Sequence, residues 1–199
     1  MRILAIDPGS AESGWVLMDA DTGAVLRHGK DANEQLLAWY RTDLVDDDET
    51  LEPRDVVVVE FMAPRGMPTS EHEMDALWWL GRFTEALEQH RHLVVRVTRD
   101  EVKWVILQKR NVKGADAAIR AVIIDRYAQG GGRAVAMGKK AAPGPLYGIV
   151  DDQMAALALA CAYQDDARDV ETERRERIEK KRAEASAKAE RAARRTPAA

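Results

Sequence analysis

Cysteine is all but missing. A lone Cys161 in 199 residues excludes a disulfide framework or a cysteine-based zinc site within one chain. It lies in an alanine- and leucine-rich run at 155–162 and reads as a small buried hydrophobe. Equally absent is an uninterrupted apolar stretch approaching the roughly 20 residues of a membrane-spanning helix, so no membrane partner is expected. The N-terminus has no basic region leading into an apolar segment and a small-residue cleavage site, the pattern of a secretory leader. A reducing, cytoplasmic setting is the expectation. Nor is there an overall excess of basic charge: the net charge is −4. That figure hides an asymmetry, because residues 166–199 hold 11 basic against 8 acidic side chains while residues 1–165 hold 19 against 26. An acidic body with a basic end suits a nucleic-acid partner without requiring one.

What the chain does have is short, dense apolar runs that end in carboxylates. Residues 3–6 are apolar, Asp7 follows, and Pro8-Gly9 breaks the run. Such a pattern reads as a buried strand closed by a turn. Apolar segments at 13–18 and 24–26, separated by an Asp-Thr-Gly turn, extend it into an antiparallel meander of three strands. A helix is expected over 32–44. Four consecutive valines, Val56 to Val59, then run into Glu60; an unalternating β-branched run is how a strand covered on both faces looks. Ser70 with Glu73 three residues on forms a capping box for a helix over 71–90. That helix carries apolar residues on two sides, the mark of burial or of a partner chain. A strand over 93–97, a Thr98-capped helix over 99–109 and a helix over 115–127 follow. Residues 130–147, rich in Gly, Pro, Lys and Ala, are expected to be a mobile loop. A last helix over 151–163 opens on adjacent acids, Asp151 and Asp152. Residues 166–199 form a charged tail, helical or disordered, without an apolar seam.

Three separated places therefore offer acids where a strand or helix ends: Asp7, Glu60 and the pair Asp151-Asp152. In an open sheet, ligands gather outside strand ends. Carboxylates crowded there repel one another and raise each other's pKa. Hard divalent cations relieve that repulsion, and Mg²⁺ prefers oxygen ligands. Two such ions about 4 Å apart can activate water on one side of a phosphodiester and stabilise the leaving oxygen on the other.

The segment AIDPGS at 5–10 with SGW at 13–15 resembles the opening of the RuvC Holliday-junction resolvases, within the RNase H-like nuclease superfamily. The valine strand ending in Glu60 is similar to that family's second acidic strand, and Val102-Lys103 to its Val-Lys segment. The resemblance covers about residues 1–165 and leaves the tail outside. It implies an α/β, RNase H-like fold with a mixed five-stranded sheet flanked by helices. It implies a homodimer packed through the helix at 71–90, and branched DNA, a four-way junction, as partner. It also implies dependence on Mg²⁺ or Mn²⁺, two ions per site, with Asp7 and Glu60 as ligands and Lys103 as a DNA-phosphate contact. Lys139, Lys140 and Arg65 are further candidates for DNA contact, and Phe61 and Met62 for wedging between bases.

The C-terminal end departs from the bacterial pattern, which spaces two ligands three residues apart at the start of the last helix. Here the acids are adjacent, as in phage terminase nucleases and some phage resolvases, which would place the protein in the host cytoplasm. Consecutive helical residues diverge by about 100°, so Asp152 is favoured as the third ligand, with Asp151 an auxiliary ligand or a cap. An actin-like ATPase, which needs a second Gly-rich phosphate turn and a longer chain, is set aside. A non-catalytic RNase H-like DNA-binding or assembly module stays open as the alternative.

Overall fold

A computed structural model describes residues 1–42, 51–52, 55–63, 69–90, 92–109 and 112–166. Five strands form one mixed sheet: β1 (Arg2–Asp7), β2 (Glu12–Asp19), β3 (Val25–Ala32), β4 (Val56–Phe61) and β5 (Leu93–Thr98), in the order β3-β2-β1-β4-β5. The first three are antiparallel neighbours, as the meander predicts, while β4 and β5 join in parallel. The helices are α1 (Asn33–Arg41), α2 (Glu71–Gln89), α3 (Arg99–Leu107), α4 (Ala115–Ala128), α5 (Gly132–Met137) and α6 (Asp151–Asp166). Both predicted capping boxes are present in full: Ser70 with Glu73 opens α2, and Thr98 with Glu101 opens α3.

Side chains alternate across a strand, and this alternation divides the core in two. Ile3, Ala5, Val16, Met18, Val56, Val58, Val95 and Val97 face one way, onto α6, α4 and α3. Leu4, Ile6, Trp15, Leu17, Val57 and Val59 face the other, onto α1 and α2 with Leu36, Tyr40 and Phe83. The four-valine run is thus covered on both faces, and each such side chain withdrawn from water contributes about 1.5–3 kcal/mol. Helix α6 is buried nearly all round, from Ala156 to Ala162. Its alanines let it lie close against the sheet, and Cys161 is fully buried among them, its thiol pushed up to about 11 by burial.

Two expectations need correction. The third strand is longer than its apolar start suggests: it runs to Ala32 through Arg27, His28, Lys30 and Asp31, a polar sequence suited to an exposed sheet edge. The stretch 130–147 is not an unstructured loop. It holds α5 and a small hairpin of β6 (Gly138–Lys139) and β7 (Ala142–Pro143), anchored by fully buried Ala136 and Leu146. Among the described residues no helix is long and apolar enough to cross a membrane. The charged tail beyond Asp166, and Arg65, lie outside the described residues.

Candidate functional site

Strand parity brings the first two acids together. Asp7 lies two residues beyond Ala5 and Glu60 two beyond Val58, so both project to the α6 side of the sheet. The parallel register Ile6 to Val59 sets the two acids at the same level on adjacent strands. The turn after Asp7 is tied down from two sides. Ser13 Oγ accepts from the Gly9 amide at 3.2 Å and donates to Asn33 Oδ1 at 2.6 Å, and Asn33 Nδ2 donates to the Gly9 carbonyl at 3.0 Å. Ser13 and Asn33 are both fully buried, so this network fixes the chain where β1 hands over to β2. Gly9 itself has no room for a side chain, since a Cβ would sit 2.2 Å from the Glu12 carbonyl oxygen.

The third acid arrives from the far end of the chain. Gly14 pairs with Asp7 across β1 and β2, and α6 begins directly over it: a Cβ on Gly14 would lie 2.5 Å from the Asp152 carbonyl carbon. Only hydrogen fits there, and its small size brings Asp152 to the Asp7 end of the sheet. Asp151 does not join this group. It takes a left-handed φ of 37°, points outward with its side chain 80% exposed, and lies 3.9 Å from Arg120. Nor does it cap the helix with its side chain: Gln153 Oε1 accepts from the Val150 amide at 3.1 Å instead.

Crowding shows in the electrostatics. Burial, followed by the neighbouring Glu60, lifts the Asp7 carboxyl to about 7, with Asp152 and Asp116 pushing the same way and Arg99 opposing. Among the described residues nothing donates a hydrogen bond to the Asp7 carboxylate. Its two companions are held by cations. Arg99 Nη1 contacts Glu60 Oε2 at 3.1 Å while Nη2 contacts Asp116 Oδ1 at 2.9 Å, and Lys30 Nζ lies 2.9 Å from Asp152 Oδ2. Among the described residues no three acids or histidines converge closely enough to grip a metal ion as they stand. The donor set nonetheless suits one: hard oxygen ligands on three rigid elements, with a desolvated acid at the centre.

Asp7, Glu60, Phe61, Lys103 and Asp116 line a cavity of about 450 Å³. Lys103 sits on its wall, paired with Asp100 at 3.1 Å. Phe61 and Met62 also line it, and Phe61 is partly packed against the α1/α2 core. Lys139 and Lys140 are exposed, Lys139 in β6 and Lys140 at the tip of its hairpin. Three residues at the site carry no warning in the sequence: Arg99, Asp116 and Lys30.

No family model and no curated protein matches the chain. Among solved structures, RuvC of Thermus thermophilus aligns with a TM-score of 0.56 at 16% identity, covering 84% of this chain and 96% of that one. Thermus thermophilus RuvC in complex with a Holliday junction substrate aligns with a TM-score of 0.52 at 16% identity, covering 84% of this chain and 95% of that one. A ROK family protein from Streptococcus pneumoniae aligns at only 0.35 over 54% of this chain, which is too distant to bear on the fold. The fold is the RNase H-like fold of RuvC, with its five-stranded mixed sheet between helices.

Proposed function

We propose that the chain is a metal-dependent, structure-selective DNA endonuclease that resolves four-way junctions by phosphodiester hydrolysis. The observation that carries this reading is the meeting of Asp7, Glu60 and Asp152 at one end of the sheet, with Asp7 lifted to about 7 by burial and by its acidic neighbours. A site that concentrates desolvated negative charge is costly to keep unless a cation uses it. Asp7, Glu60 and Asp152 would hold Mg²⁺ or Mn²⁺, two ions per site, with Asp151 too far outward for more than an auxiliary part. Such ions lower the pKa of water and stabilise charge on a leaving oxygen.

The chain's own residues supply the rest. The Ser13–Asn33–Gly9 network fixes the turn that follows Asp7, and the close approach at Gly14 sets the start of α6 above it. Lys103, on the cavity wall, would take a phosphate of the strand being cut; Lys139, Lys140 and Arg65 would take flanking phosphates and position the duplex arms. The junction complex of the RuvC neighbour supports branched DNA as the partner. The adjacent acids that open α6 favour the phage type of resolvase over the bacterial one. A homodimer through α2 fits its outer side, where Met74 and Trp78 are 57% and 58% exposed.

The test is cleavage of a synthetic four-way junction in Mg²⁺ by the wild type, Asp7→Asn and Glu60→Gln. Loss of paired nicks in both variants is expected; undiminished cutting by both removes the assignment. One observation favours a second reading, a non-catalytic DNA-binding module: Glu60 and Asp152 are already engaged by Arg99 and Lys30. That reading predicts junction binding indifferent to metal and no cleavage even in Mn²⁺.

A further inference from the structure

Arg99 is placed against local preference. It is the first residue of α3, where unpaired amide groups carry partial positive charge and acids are favoured over cations. Asp100 and Glu101 in the same turn follow that preference. Its side chain is only 22% exposed, and a withdrawn charge is tolerated only when paired. The pairing is two-sided: Nη1 to Glu60 at 3.1 Å, from a residue 39 positions away, and Nη2 to Asp116 at 2.9 Å. The capping box at Thr98 fixes the backbone beneath it. Arg99 and Asp116 also form the wall shared by two cavities, one of about 450 Å³ containing Asp7 and Glu60, the other of about 360 Å³ containing Arg120 and Asp151.

We propose that Arg99 is a built-in counter-cation that occupies the acid cluster and has to leave Glu60 before a divalent ion can bind there. It is a positioning residue that sets how much metal the site needs. The inference rests on the reading that Asp7, Glu60 and Asp152 take divalent ions. A guanidinium offers donors in a fixed fork that matches carboxylates on either side. While Arg99 bridges Glu60 and Asp116, Glu60 Oε2 is engaged by the guanidinium. Held by Asp116 alone, Arg99 remains tethered beside the site and no longer competes for Glu60. Ion affinity is then lowered by the fraction of molecules in which the bridge is open.

The test is Mn²⁺ titration of the full chain by calorimetry, without DNA. Arg99→Met keeps the apolar stem and removes the charge; it should bind Mn²⁺ about 10-fold more tightly than the wild type, as expected when a competing closed state is removed. Arg99→Lys, which keeps the charge but loses the fork, should fall between. Should Arg99→Met fail to fold, Arg99→Gln takes its place. Equal affinity in the wild type and the variants, or weaker binding by Arg99→Met, overturns the inference while leaving the metal site standing. Absence of saturable Mn²⁺ binding in every protein overturns both.

Discussion

Asp7→Asn should make the metal-free protein more stable at alkaline pH, although it should abolish cleavage. Burial and acidic neighbours lift the Asp7 carboxyl from 3.8 to about 7 in the folded chain. Between those two values the native state holds a proton that the unfolded chain has released, so stability falls as pH rises through the window. A shift of this size corresponds to about 4 kcal/mol once both states are ionised, at 1.36 kcal/mol per unit. Asparagine has nearly the shape of the protonated acid and escapes the penalty. The two proteins should therefore be equally stable near pH 4 and diverge steadily upward, reaching a plateau above about pH 7. For a chain of this size the plateau amounts to a midpoint gain on the order of 10 °C. The assay is thermal unfolding in EDTA at a series of pH values, repeated in Mg²⁺. An ion held as proposed should narrow the gap, because binding to the folded wild type would stabilise it by mass action. An asparagine variant less stable than the wild type at pH 8 in EDTA, or a gap that does not change with pH, would refute the electrostatic account of the site.

Two other substitutions separate structure from function. Asp55, at the opposite end of the sheet, is 1% exposed and accepts from the Arg2 amide at 2.7 Å, from Arg2 Nε at 2.9 Å and from the Glu52 amide at 2.9 Å. Burial pushes its carboxyl upward, but these donors and the Arg2 charge outweigh it and hold the group below its usual range, so its stabilisation is present at neutral pH and lost on acidification. Asp55→Ala should cost about 3–5 kcal/mol in denaturant unfolding, since it removes the buried acceptor of the Arg2 guanidinium and of the Arg2 and Glu52 amides, while the Mn²⁺ affinity proposed for the far end stays the same. Trp78→Glu puts a charge on the exposed side of α2, where Arg82 lies over the Trp78 ring at 4.5 Å; if the proposed homodimer packs there, light scattering should show a dimeric wild type and a monomeric variant, and a dimer unchanged by the substitution would move the interface elsewhere.

The sheet was legible because its strands state their surroundings in composition. Residues 3–6 and 56–59 are continuously apolar because both faces are covered, and the tight turn at 21–23 leaves the second and third strands no pairing but an antiparallel one. The ends of elements were legible where a side chain caps them, as at Ser70 and Thr98. Legibility failed where a strand runs along the sheet edge. Residues 27–31 are mostly polar, so β3 looks finished at Leu26, although its backbone goes on pairing with β2 as far as Ala32. It failed again at 130–147, where glycine, proline and lysine suggest a loop. What orders that stretch is a few isolated anchors, Ala136, Leu146 and the following Ile149, all fully buried and set at no regular spacing.

The acids of the candidate site stand out in the sequence for the same reason as the strands: each interrupts or follows an apolar run, and a charge at such a break is conspicuous. The cations do not, because Arg99 and Lys30 stand in ordinary polar surroundings, a helix start and an edge strand, and acquire their meaning only from partners far along the chain. This changes what a cluster of acids implies. Counted alone, Asp7, Glu60 and Asp152 suggest a site whose charges repel until metal arrives. With Arg99 on Glu60 and Lys30 on Asp152, repulsion is relieved at the two flanks and concentrated on the one acid that no described residue supports with a hydrogen bond, Asp7. The outer acids are thus neutralised by the chain's own cations, while burial and the acidic neighbours raise the central one to about 7. Two kinds of competitor, protons at Asp7 and basic side chains at Glu60 and Asp152, would oppose the divalent ion proposed for this site. Metal binding should accordingly release close to one proton per site near pH 6 and almost none above pH 8, a difference that calorimetry in buffers of unlike ionisation enthalpy can read directly.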